Sequence, residues 1–256
     1  EKLRQKINQM EAELERARVI QKMLLPDKTP EHPSFKIAYR YKPMEAVGGD
    51  YICFPHPYED EQGFFIGDLT GHGVSAALYM TLIKFVTDHL YPTCAYQPKV
   101  LLESLNEKLQ GQMPASFFTA IYGVFMLNEE NNCHKLTLAG AAHPRPALYD
   151  PKTDSWSFIE LKSSAAIGIL PDFTTENLEI SLAAGSRLLL YTDGITETLN
   201  PQEEILGEEP FLEIVRKTHI KGSVEDSLDA IMIEVQKFRN SPELTDDLTL
   251  LLIDIL

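Results

Sequence analysis

Apolar and polar positions change period several times along this chain, and each change marks a different kind of element. In residues 1–25, Leu3, Met10, Ala17 and Leu24 recur every seven positions, and Ile7, Leu14 and Gln21 fill the second seam position. This predicts a helix, stopped by Pro26. Two arrangements suit it: a helix lying on its own domain, or a coiled coil that joins two copies and receives a signal from upstream. Val19, Ile20 and Met23 lie off the seam and are expected to dock onto the body.

After PDKTPEHP the pattern turns to strands: FKIAYRY (35–41), VGGDYICF (47–54) and GFFIGDL (63–69). Two helices follow, 74–91 and 97–111, the first with Val74, Leu78, Leu82 and Phe85 on one side. Strands at 117–127 and 134–142 flank NEENN, a hairpin turn by composition. Short strands are predicted at 146–150, 155–161 and 176–182, and a strongly buried one at 186–194. Helices over 208–219 and 223–239 and a last central strand, 248–256, complete the chain. Strands joined by turns argue for antiparallel pairing, and helices in pairs for cover on both outer faces of a sandwich. The fold class is α+β: a four-layer α-β-β-α sandwich, with residues 1–25 a helical linker and 26–256 the main domain.

Four aspartates stand where predicted strands enter or leave the core: Asp50 in VGGDY, Asp68 in FFIGDLTGHG, Asp193 in LLLYTDGITE and Asp246 in LTDDLTLLLI. Carboxylates so placed are costly unless paired or bound to a cation. An all-oxygen set without a cysteine or histidine cluster suits Mg2+ or Mn2+. Two such ions would activate water for attack on a phosphoryl group, with no protein nucleophile needed. The chain accordingly has no CxxxxxR loop, GxSxG elbow or P-loop. Each signal also has a bland reading. Asp68 can cap a strand-turn-helix junction, GGD is a common turn, and Asp193-Gly194 is a good hairpin turn. Only one of Asp246 and Asp247 would point inward. His72 reads as a capping or packing residue more readily than a ligand.

Composition narrows the choice. The net charge is −15, although the first 25 residues carry six basic and four acidic side chains, so the remainder stands at −17. Such a body repels DNA, RNA and anionic lipid, and nucleic acid is not an expected partner. The three cysteines, Cys53, Cys94 and Cys133, form no CxxC pair. No window is long and apolar enough to span a membrane. The first residue already lies inside a helical pattern, as in a piece of something longer. A cytoplasmic setting is expected, either free or as the cytoplasmic portion of a sensor or membrane protein.

The ordered set GGDY, IGDLTGHG, AAHPRP, YTDGITE and DDLT resembles the metal-dependent serine/threonine protein phosphatases, the PPM family. Within it the chain is similar to the bacterial branch of sporulation stage II protein E and the stress regulator RsbU. The resemblance covers residues 26–256, and RARVIQKMLLP is similar to the helical linker that precedes this domain and connects it to a sensor. It implies an antiparallel sandwich with two Mn2+ or Mg2+ ions in an acidic cleft at one end. Asp68 would bridge both ions and the Leu69 carbonyl would contact one. Asp50 would serve one ion, and Asp193 and Asp246 the other side. Asp247 would not itself be a ligand. The substrate implied is a phosphoserine or phosphothreonine regulatory protein of the anti-sigma antagonist type. A homodimer through the N-terminal helix and an upstream sensor domain are the implied partners. Helix movement near the linker would set metal occupancy.

Two positions depart from the family's pattern: Cys53, where relatives often carry a second aspartate, and Ala142, where Gly usually precedes the histidine. His143 between Ala142 and Pro144 reads as structural. Arg145, Arg40 and Lys42 are candidates to reach a substrate phosphate. The acidic EEILGEEP stretch is a candidate substrate-reading surface for a basic patch on the partner. The competing functions are a non-catalytic phosphoprotein-binding and dimeric signal-relay module, and a nucleotide phosphohydrolase.

Overall fold

A computed structural model describes residues 2–56, 61–71, 73–126, 133–219 and 222–256. His72 and the NEENN turn (128–132) lie outside the described residues. The N-terminal helix α1 (Lys2–Lys22) leads into β1 (Phe35–Lys42), β2 (Asp50–Cys53) and β3 (Glu61–Leu69). Helices α2 (Gly73–Cys94) and α3 (Pro98–Leu109) follow, then β4 (Phe118–Met126), β5 (Cys133–Ala141), β6 (Ala147–Asp150), β7 (Ser155–Phe158), β8 (Leu178–Ala183) and β9 (Arg187–Tyr191). A single helical turn, α4 (Asp193–Thr196), precedes α5 (Glu208–Lys217), α6 (Val224–Arg239) and β10 (Leu248–Ile255).

Among the described residues, ten strands form two antiparallel five-stranded sheets, ordered β1-β10-β9-β6-β7 and β2-β3-β4-β5-β8. Alternation along the strands sends one set of side chains between the sheets. Ile37, Ile66, Ile121, Leu136, Leu190, Leu251 and Ile253 belong to that inner core. The opposite faces are apolar too, so each sheet carries a helical layer. Tyr51, Phe65 and Tyr122 pack with Met80, Ile83, Leu101 and Leu105 of α2 and α3, while Tyr191, Leu250 and Leu252 pack with Phe211, Leu228 and Ile231 of α5 and α6. The four-layer sandwich expected from the sequence is the observed architecture.

In α2 the side that carries Val74, Leu78 and Phe85 is the exposed one, and the buried stripe is Ala76, Met80, Ile83, Thr87, Leu90 and Cys94. That helix is apolar on most sides, so period alone could not choose its inner face. Two local expectations are corrected. Val19, Ile20 and Met23 of α1 are also exposed, and it is the seam residue Gln21 that docks. Asp193-Gly194 opens the helical turn α4 and not a hairpin, since the next segment leaves the sheet. The α6 start is capped by Ser223, whose Oγ accepts from Asp226 N at 3.0 Å.

Candidate active site

The two sheets meet at one end through carboxylates. Asp50, the first residue of β2, lies directly opposite Asp68 of β3, and both are buried, at 3% and 9% exposure. Across that pairing the Asp50 carboxylate raises the affinity of Asp68 for a proton. Asp50 Oδ2 accepts from Thr192 Oγ1 at 2.9 Å and from Thr249 Oγ1. Both threonines belong to the β9–β10 side, so this carboxylate ties one sheet to the other. Asp50 Oδ1 is buried without a hydrogen-bond partner.

Asp193 and Asp246 come from the opposite sheet. Asp193 begins α4 just after β9, and its charge reaches Asp68. Asp246 lies just before β10, where its Oδ1 accepts from Asp247 N at 2.8 Å. Gly194 is what allows α4 to lie this close: a Cβ there would fall on the Asp247 carbonyl oxygen. Gly49 does the same on the other side, where a Cβ would stand 2.7 Å from the Leu69 carbonyl oxygen. The GGD and DG signals are therefore close approaches between chain segments that converge on the site.

The electrostatics follow from this crowding. Burial, then the neighbouring Asp247, push Asp50 up to about 8, against hydrogen bonds from Thr249 and Thr192 that oppose the rise. Asp68 is raised well above the carboxylate range by burial and then by Asp50, Asp193 and Asp246. Asp193 is raised by burial, Asp246 and Glu197. Among the described residues no three acidic, histidine or cysteine side chains converge as a ready-made metal cage. Asp50 and Asp68 stand opposite each other across the strands, and Asp193 and Asp246 act on Asp68 through their charge. The oxygen-only donors, the mutual repulsion and the orphaned Asp50 oxygen all fit hard divalent cations.

Several residues hold the site in ways the sequence did not reveal. Asp247 is 2% exposed, and its two oxygens accept from Met44 N at 2.6 Å and Gly49 N at 2.5 Å. It thus pins the loop that carries Asp50. Gln21 of α1 holds the same loop from the other side, accepting from Gly48 N at 2.9 Å and donating to Gly48 O. Thr192 and Thr249 could have been suspected only from their places beside YTDG and DDLT. The proposed phosphate-reaching arginines are occupied elsewhere. Arg40 pairs with Asp229 at 2.6 Å. Arg145 pairs with Glu208 at 2.5 Å and Glu160 at 2.7 Å and lies over the Phe158 ring. Cys53 points away from the cluster, its Sγ 2.8 Å from Tyr91 Oη.

Residues 59–256 match the family described as stage II sporulation protein E. The chain belongs to that family. It lies in the PPM/PP2C-like phosphatase superfamily, close to the branch of stage II sporulation protein E, RsbU and RsbP. It is 28% identical over 245 residues to the phosphoserine phosphatase RsbU of Bacillus subtilis, covering 96% of this chain and 70% of that protein. It is 26% identical over 254 residues to the phosphoserine phosphatase RsbP of the same organism, covering 95% of this chain but only 58% of that protein. The fold matches the SiaA-PP2C domain of Pseudomonas aeruginosa with a TM-score of 0.82 at 22% identity, over 97% of this chain and 98% of that one. The superfamily is one of serine/threonine phosphatases whose members typically use divalent metal ions. No helix among the described residues is long and apolar enough to cross a membrane.

Proposed function

We propose that this chain is a Mn2+- or Mg2+-dependent phosphoserine/phosphothreonine phosphatase acting on a phosphorylated regulatory protein of the anti-sigma antagonist type. The observation that carries the reading is the buried Asp50–Asp68 pair facing Asp193 and Asp246 across the end of the sandwich. Asp50, Asp68, the Leu69 carbonyl, Asp193 and Asp246 would hold two ions. When bound, such ions lower the pKa of water and neutralise phosphoryl charge.

The protein's own part is positional. Thr192 and Thr249 orient Asp50, and Asp247 fixes the loop before it. Asp68 lies at the centre, within electrostatic reach of the other three carboxylates, which suits the bridging role. The acidic 203–210 segment beyond α4 is the proposed contact for a basic patch on the substrate protein. Leu3, Ile7 and Met10 of the α1 seam are exposed, which supports a homodimer through that helix and coupling to an upstream sensor domain. A cytoplasmic setting suits a regulatory phosphoprotein substrate.

The test is phosphate release from a phosphoserine peptide and from para-nitrophenyl phosphate, with and without Mn2+, beside Asp68→Asn. Mn2+-dependent release lost in the variant is expected. No release from folded, Mn2+-loaded protein, with phosphopeptide binding retained, would favour the non-catalytic binding module.

A further inference from the structure

His143 lies one side chain away from the carboxylates, through Thr119 of β4. Three constraints place it. Ala142 adopts a left-handed backbone, with φ of 50°, and makes a parallel bridge to Ala120 of β4. The Ala142 N–H donates to Ser163 Oγ at 2.9 Å. Pro144 and Pro146 stiffen the chain beyond. The imidazole is half-buried against β4. Its Nδ1 lies 2.8 Å from Thr119 Oγ1. Its Nε2 is buried, near the Tyr191 backbone but outside good hydrogen-bond geometry.

Both neighbours lead straight to proposed ligands. Thr119 is the cross-strand partner of Asp68, and its hydroxyl lies 3.4 Å from the Asp68 carbonyl oxygen. Tyr191 ends β9, two residues before Asp193. Asp68 and Asp193 belong to different sheets, so their separation depends on whatever spans the gap beneath them. Burial lowers the His143 pKa to about 3, which keeps the ring neutral in the working range of a phosphatase. The neutral ring shares one hydrogen bond with the Thr119 hydroxyl through Nδ1 and packs beside the Tyr191 backbone on its other side.

We propose that His143 is a positioning residue that spans the two sheets from Thr119 to Tyr191 and sets the spacing of Asp68 and Asp193. The inference rests on the metal-site reading above. Groups that orient ligands in this way typically affect metal affinity about 10- to 100-fold.

The experiment is calorimetric titration of the full chain with Mn2+ alone, on the parent, His143→Ala, His143→Asn and Thr119→Val. Melting of each variant in EDTA reports the fold separately. His143→Ala is expected to weaken Mn2+ binding about 10- to 100-fold. His143→Asn, whose side-chain oxygen can still accept from Thr119, should recover most of that loss. Thr119→Val should weaken binding in the same direction, and the double variant should lose no more than the weaker single one. If His143→Ala does not fold, Thr119→Val carries the comparison. Mn2+ affinity equal to the parent in a folded variant, or a lowered EDTA melting point with unchanged affinity, would overturn the positioning role alone. A parent that binds no Mn2+ would overturn the metal reading and this inference with it.

Discussion

Gln21 and Gly48 are joined through both backbone groups of the glycine: the Gln21 amide oxygen accepts from Gly48 N, and its NH2 donates to Gly48 O. Gln21 is 8% exposed on a helix whose neighbouring residues face solvent. The contact lies two residues from Asp50, so the linker helix is mechanically continuous with the carboxylate cluster.

Gln21→Ala should therefore act at a distance. It leaves a buried N–H and carbonyl unpaired, at a cost of about 1–3 kcal/mol. The expected outcome is a lower melting temperature and weaker Mn2+ binding, with the rest of the fold intact by circular dichroism. A variant with unchanged Mn2+ affinity would show that the helix end does not reach the site.

Asp246 and Asp247, adjacent in sequence, should separate cleanly. Asp247 accepts two backbone N–H groups and holds the Met44–Gly49 loop, so Asp247→Ala should cost several kcal/mol, roughly 1–3 for each orphaned donor. Asp246→Asn should abolish phosphatase activity while leaving the melting point in EDTA unchanged or higher. Thermal melts in EDTA beside activity in Mn2+ decide it; the reverse pattern would exchange the two roles.

The metal-free protein should lose stability as pH rises. Asp50 titrates near 3.8 when unperturbed and near 8 in the fold, raised by burial and by Asp247. Between these values the folded state holds a proton that the unfolded state has released, so the stabilisation is full below about 4 and lost as pH passes 8. Asp68 shifts in the same direction. Denaturant melts in EDTA across pH 5–9 should show this fall, and Asp68→Asn should flatten it. A rise in stability over that range would contradict the raised carboxylates.

Ala142→Gly should stabilise the protein. A left-handed backbone costs a non-glycine residue about 1–2 kcal/mol, partly offset by the greater unfolded-state freedom of glycine, about 0.4–1 kcal/mol. The net gain expected is about 0.5–1 kcal/mol, a rise of roughly 2 °C in melting temperature for a domain of this size. Calorimetry would detect it, and a fall would show that the loop before His143 needs the methyl group.

Much of this was legible because strong local patterns agreed with the global fold. The runs containing Leu190 and Leu251 are apolar on both faces, as strands covered by helices must be. The aspartate motifs each stood at a strand end, which is where the structure brings them together. The inner face of α2 was not legible, because Leu78 and Phe85 are as apolar as Met80 and Ile83 and only the partner sheet distinguishes them. Nor were the holds on the Asp50 loop: Gln21 and Asp247 act through backbone atoms 27 and 198 residues away, contacts that leave no periodic trace. Arg145 looked available because sequence does not reveal that Glu160 and Glu208 surround it.

The engagement of Arg40 and Arg145 by carboxylates has a kinetic consequence. A phosphoprotein approaching the cluster without cations meets like charge, and neither Arg40 nor Arg145 is free to receive it. Assembly would then run in compulsory order, cation before phosphoprotein. The apparent KM for the phosphoprotein would fall as free Mn2+ rises, and scarcity of the ion would look, in a steady-state experiment, like poor recognition of the substrate.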